Sequence, residues 1–174
     1  GLLAAPPAAW GELRPRPQEG SCAGCLGVID DLLARCAGDL KGCVASQDDR
    51  PEVFEPPWQL PEPKPGTKEK EQTARQAAEL RRAVLRAGGQ IVSESMDKSY
   101  LRAEFLVDVP VLGKDADDVE WYFTPDDLIV QFRAERRSGQ PDFGMNRQRL
   151  EAIRLDLGWD VVPVLRNRQR ALIF

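Results

Sequence analysis

The chain contains no histidine. Histidine is the commonest general base and the usual partner of a nucleophilic serine or cysteine, so most hydrolase arrangements are excluded. No stretch approaches the roughly 20 apolar residues of a spanning helix, and the apolar cluster "GLLAAPPAAW" is interrupted by Pro6 and Pro7. There is no charged segment leading into a short apolar core of the secretory kind, so export would imply a targeting peptide outside this sequence. No glycine-rich phosphate-binding pattern occurs. Positive charge is not in excess: the net charge is −4, which argues against nucleic-acid partners.

What remains is 174 residues with 42% hydrophobic and 30% charged side chains of both signs, the composition of a globular protein with one core domain and an appendage. Six prolines between Pro51 and Gly66 forbid helix and central strand there and predict an extended strap. The chain divides into an arm (1–50), the strap (51–66) and a core domain (67–174). In the arm, Ile29, Leu32, Leu33 and Cys36 recur at helical spacing and predict a cysteine-bearing helix stopped by Gly38.

The core domain opens with an amphipathic helix carrying Ala77, Leu80, Val84 and Ala87, closed by Gly88 and Gly89. Three alternating stretches follow, with Leu101, Ala103, Phe105 and Val107, then Val119, Trp121 and Phe123, then Leu128, Val130, Phe132 and Ala134 on one face. Charged residues occupy the other face, as in an antiparallel sheet with one side in water. A shorter strand at 90–96 pairs with the first, "TPDD" is a hairpin turn, and Leu150, Ile153 and Leu157 mark a second helix ended by Gly158. The expectation is an α+β fold, a two-layer α-ββββ-α core behind a disulfide-stabilised helical arm.

All four cysteines fall in "SCAGCLGVIDDLLARCAGDLKGC". A structural zinc site wants two close ligand pairs, and Cys36 and Cys43 are not one; a thioredoxin-like dithiol wants a preceding strand. Four cysteines in one small segment fit disulfides in an oxidising compartment, with four reduced apolar thiols as the plain alternative. On the expected helix, Cys25 and Cys36 would stand roughly 16 Å apart, too far to bridge, which favours Cys22 with Cys25 and Cys36 with Cys43.

Two polar concentrations stand out. Asp108, Asp115, Asp117, Asp118 and Glu120 could present hard oxygens to calcium or manganese, or simply form a solvated turn. Arg133, Arg136, Arg137, Arg147 and Arg149, with Asn146 among them, could capture a partner's carboxylates, or pair locally with Glu135, Glu151 and Asp156 beside a helix capped by Asp142.

"GCVASQDDRP" (42–51), "DDVEWYF" (117–123) and "DFGMNRQRLEAIR" (142–154), in that order, resemble the domain-of-unknown-function family fourteen-ninety-nine over about Cys43 to Leu165. The resemblance carries no known catalytic residues and no cofactor. It implies, for a chain with such an arm and strap, a chloroplast thylakoid lumen protein of the thylakoid-enriched-fraction type, linked to photosystem II assembly or repair.

The expectation is therefore a binding protein, not an enzyme, that docks on lumenal photosystem II core subunits and meets the membrane only through them. Trp10, Trp58 and Phe174, in segments too small to bury themselves, join Arg136, Arg137, Asn146, Arg147 and Arg149 as contact candidates, unless they pack on the domain's own sheet. The other expectations are a small-molecule or metal binder with a cavity lined by Tyr100, Trp121 and Phe132, and a redox factor using Cys22 and Cys25.

Overall fold

Alternation in the central strands gives one apolar sheet face, and two helices supply matching stripes. The computed structural model describes residues 12–37 and 40–164. In chain order the elements are β1 (Val28–Ile29), β2 (Leu32–Leu33), β3 (Cys43–Ala45), β4 (Trp58–Gln59), α1 (Glu69–Arg86), β5 (Gln90–Glu94), β6 (Tyr100–Val109), β7 (Gly113–Phe123), β8 (Ile129–Arg136), α2 (Met145–Leu157) and β9 (Asp160–Val161).

Strands β5, β6, β7 and β8 run antiparallel in that order, as expected. Beyond β8 the sheet continues: β3 and β4 both pair with β8, opposite residues 133–135 and 129–130 respectively, and β9 pairs with β4. The arm's last residues and the strap thus add strands to the sheet of 67–174, making seven strands rather than four. The fold is α+β, with an α-ββββ-α order at its centre.

Both helices cover the apolar face. Ala77, Leu80, Ala83 and Val84 of α1, with Leu150 and Ile153 of α2, pack on Leu101, Phe105, Val119, Trp121 and Phe132, all at most 4% exposed. Each large side chain buried this way contributes about 1.5–3 kcal/mol. Trp58 belongs to this core, 2% exposed, with its ring 5.2 Å from that of Phe132 and 6.2 Å from that of Trp159.

Two expectations fail in the arm. The helix over Ile29–Cys36 does not form; Asp30 and Asp31 take φ of 51° and 60°, turning the chain tightly between β1 and β2. Short polar side chains tolerate this left-handed backbone, which suits two-residue hairpins. Leu33 then packs with Tyr100, Tyr122 and Val28, while Ile29 and Leu32 remain exposed. Nor is the charged sheet face in water: the arm lies across it as a third layer.

Gly42 explains one residue of the first motif. A side chain there would run into the backbone oxygen of Gln140 and approach Cβ of Arg136 at 3.2 Å. We expect Gly42→Ala to cost about 2 kcal/mol, seen as a melting temperature lower by about 4–8 °C; an unchanged melting temperature would remove this close approach as a constraint.

Candidate functional site

The three quoted motifs meet on the sheet, and each is tied to ion pairs within the chain. In the first, Cys43 is bonded to Cys36, and the next side chains hold the arm's backbone. Gln47 Oε1 accepts from Leu33 N at 2.9 Å, and its Nε2 donates to Asp31 O at 3.1 Å. Asp48, 1% exposed, accepts from Cys36 N at 3.3 Å and pairs with Arg50, whose hydrogen bonds hold its carboxyl well below the usual carboxylate range. Arg50 Nη2 also donates to Cys36 O at 2.8 Å. Residues 43–50 therefore act as a latch for residues 31–36.

The second and third motifs join on the helix side. Asp117, fully buried, accepts from Arg136 Nε at 2.7 Å and Arg149 Nη1 at 2.9 Å. Arg149 also bonds Asn146 Oδ1 at 2.6 Å and lies 4.4 Å over the Phe105 ring. Asp142 accepts from Gly144 N and Asn146 N at 3.0 and 2.9 Å, starting α2, so the expected cap is present.

On the opposite face the strands present alternating charges to the arm. Glu104 accepts from Arg16 Nε and Arg137 Nη2, both at 2.8 Å. Asp118 takes two bonds from Arg137, at 2.9 and 2.7 Å. Glu120, fully buried, accepts from Gly27 N at 2.6 Å and Tyr100 OH at 2.9 Å, with Arg133 Nη1 at 3.5 Å. Arg133 also pairs with Glu135, and Glu135 accepts from Ala37 N at 3.2 Å. Arg102 reaches Pro17 O at 2.8 Å and Glu19 at 3.4 Å.

The surroundings split these carboxylates. The Arg16 hydrogen bond, and then that of Arg137, pull Glu104 down to about 2. Burial pushes Glu120 and Glu135 above the usual carboxylate range despite Arg133. Burial also raises the Tyr100 phenol, as does the neighbouring Glu120 charge.

Most expected contact residues are therefore internal. Arg136, Arg137 and Arg149 hold carboxylates, Asn146 is fully buried, and Trp58 is core, so these five are not contact surface. Arg147 pairs with Glu55 and donates to Glu52 O at 2.9 Å, tying α2 to the strap. Trp10 and Phe174 lie outside the described residues.

The acidic group is not a loop. Asp115, Asp117, Asp118 and Glu120 lie along β7 and alternate between faces, and among the described residues no three acids or cysteines converge to hold a metal. Tyr100 faces the arm whereas Trp121 and Phe132 face the helices, so the three line no common cavity. The disulfides Cys22–Cys25 and Cys36–Cys43 are both present, with Cα separations of 5.1 and 5.9 Å, although the helix expected to impose that pairing is absent. The sequence reading missed Arg16, Arg102 and Glu104; a signal existed for Arg102, which lies opposite Glu120 on the neighbouring strand, whereas Glu104 lies opposite the like-charged Asp118 and Arg16 is on no strand.

The model of a family described as a protein of unknown function, DUF1499, matches residues 33–157. The chain belongs to the DUF1499 family. No curated protein and no solved structure matches it significantly. The matched span begins at the latched segment and ends with α2, so it holds Cys36–Cys43 and all three motifs; Cys22–Cys25 lies ahead of it.

Two predictions follow from these pairs. Asp117→Asn leaves two buried guanidinium groups uncompensated and should cost about 3–5 kcal/mol by urea denaturation, against less than about 1 kcal/mol for Asp156→Asn in the exposed Arg86 pair. Because the folded Glu104 value lies below the ordinary 4.5, its stabilisation is complete above pH 4.5 and is lost as pH falls toward 2. After allowance for the half-exposed Arg16, that loss should be on the order of 2 kcal/mol. Glu120 and Glu135, shifted upward, oppose folding at neutral pH and cease to do so as pH falls toward 4.5. Glu104→Gln should flatten the acid limb below pH 4.5 in a urea-midpoint series, and an unaltered limb would refute the assignment.

Proposed function

We propose that this DUF1499 protein is an auxiliary factor of the chloroplast thylakoid lumen that docks on the lumenal face of photosystem II during assembly or repair, acting by contact rather than catalysis. Its likeness to lumenal members with a similar arm and strap supports the setting, and the two disulfides suit an oxidising compartment. With the motif charges held internally, the docking surface lies elsewhere.

The observation that carries the docking reading is a pair of large apolar side chains held outward in left-handed backbone. Val111 at the β6–β7 turn is fully exposed with φ 71°, and Phe143 before α2 is 86% exposed with φ 52°. Leu106 and Leu112 are also exposed. Arg137 N bonds Ala116 O at 2.8 Å and Ser138 bonds Asp115, fixing the start of the loop after β8 against β7, and Asp142 N reaches Lys41 O, so Phe143 is held outward just ahead of α2. A β-branched and an aromatic residue in left-handed backbone cost on the order of 1–3 kcal/mol each, a strain typical of functional sites. Large apolar side chains held in water against such a backbone cost are the candidates these residues offer for a protein contact.

The test is affinity purification of Val111→Asp and Phe143→Asp variants from thylakoids. Each should lose photosystem II at least about tenfold while melting within about 2 °C of the parent, since neither side chain is buried. Undiminished recovery of the photosystem with both variants would remove these side chains as the docking surface.

A further inference from the structure

The two disulfides occupy opposite environments. Cys36 and Cys43 are 5% and 3% exposed and pack with Ala45 and Val53. Their bond fixes the latched segment to the start of β3. Cys22 is exposed on a turn, whereas Cys25, three residues on, is 7% exposed. That turn already has its own hydrogen bond, from Cys25 N to Cys22 O at 3.0 Å. A sulfur bridge across so short a ring constrains the unfolded chain least, so its structural contribution is small.

Both cysteines line a cleft of about 440 Å³ between the arm and the end of β8. Arg14, Arg35, Arg133 and Arg137 line the same cleft, with Asp118 and Glu135 as the acids. Arg133 and Arg137 are held by carboxylates, the largely exposed Arg35 lies within ion-pair distance of Asp48 and Asp49, and Arg14 has no carboxylate partner among the described residues. Arg14 is thus the cation of the cleft lining without a carboxylate of its own, and a positive group near a thiolate favours its formation.

We infer that Cys22–Cys25 is a site of thiol–disulfide exchange, reducible in the native chain by a dithiol protein, while Cys36–Cys43 stays closed. The partner's thiolate attacks the exposed Cys22 sulfur. The Cys22–Cys25 bond breaks, a mixed disulfide forms, and the Cys25 thiolate leaves into the cleft and takes a proton from solvent. The partner's second thiol, deprotonated, attacks its own sulfur in the mixed disulfide and releases Cys22, which is protonated in turn. The partner loses two electrons and becomes a disulfide; this chain gains them and holds two thiols.

The turn also joins the two stretches that pin the arm to the charged face. On one side Pro17 O and Glu19 engage Arg102; on the other Gly27 N reaches Glu120. Leu26 N to Gln18 O and Gly20 N to Leu26 O close the base of the turn. Opening the bridge frees the residues between these contacts, and the loosening is felt first at Leu26 and Gly27, where the turn rejoins the pinned arm.

The experiment treats the oxidised full chain with reduced thioredoxin, chosen as the probe, in native buffer, followed by acid quenching, maleimide labelling and peptide mass mapping. Cys22 and Cys25 should label at least about tenfold faster than Cys36 and Cys43. A thioredoxin probe lacking its resolving cysteine should be trapped on Cys22. Amide exchange at Leu26 and Gly27 should quicken on reduction, with the exchange of α1 unchanged. Equal labelling of both pairs, labelling only on unfolding, or trapping on Cys36 or Cys43 would overturn the assignment. Unaltered exchange at Leu26 and Gly27 would overturn the coupling to the arm.

Discussion

Carboxylates on the outer sheet face cannot be left under a covering segment without partners, because each buried charge costs several kcal/mol when unpaired. Glu104, Asp118, Glu120 and Glu135 meet this constraint with arginines from β6 and β8, from the following loop, and from the arm, and with arm backbone N–H groups. The arm is therefore not optional packing. Removing it would strip Gly27 N, Ala37 N and Arg16 from three carboxylates, and the exposed face would have to rehydrate. Among the described residues ahead of the latch, the buried leucines are Leu26 and Leu33, so charge and backbone hydrogen bonds carry much of the arm's placement.

Ion pairing of this kind specifies register more than it stabilises. Arg137 bridges Glu104 and Asp118, and Arg136 with Arg149 brackets Asp117 on the other face, so β7 is gripped from both sides. A slip of one residue would turn Asp117 toward the arm and Asp118 toward the helices, breaking both networks at once. The family motifs serve this grip: one supplies the carboxylates, one the arginines of α2, and the third the latch that holds the arm in place.

The centre of the fold was legible because long alternating strands and an uninterrupted helical stripe admit one period each. Leu80 with Val84, and Val119 with Trp121, could hardly have been placed otherwise. The arm was not legible for a physical reason. Ile29, Leu32, Leu33 and Cys36 satisfy helical spacing, but two aspartates in left-handed backbone turn the chain back on itself, and side chains of 47 and 48 take the amides a helix would have used. Alternation equally fails to tell water from a covering arm, because Arg102 and Glu104 look alike in both settings. Trp58 reads in the sequence as a contact candidate or a residue packed on the domain's own sheet, with central strand excluded by the prolines around it. The two residues of β4 nonetheless pair on both sides, with β8 and β9, and the core claims the ring.

The same constraint separates recognition from scaffolding. A guanidinium already held by a buried carboxylate has little left for a partner, since new contacts would have to repay the broken ones. Arg136, Arg137 and Arg149 are therefore poor candidates for an interface, however suggestive their clustering in the sequence. Side chains that the fold holds outward against a backbone penalty, Val111 and Phe143, carry no such debt, and the exposed Cys22 carries none either. The parts free of the ion-pair network sit at the β6–β7 turn, just ahead of α2, and at the turn of the arm.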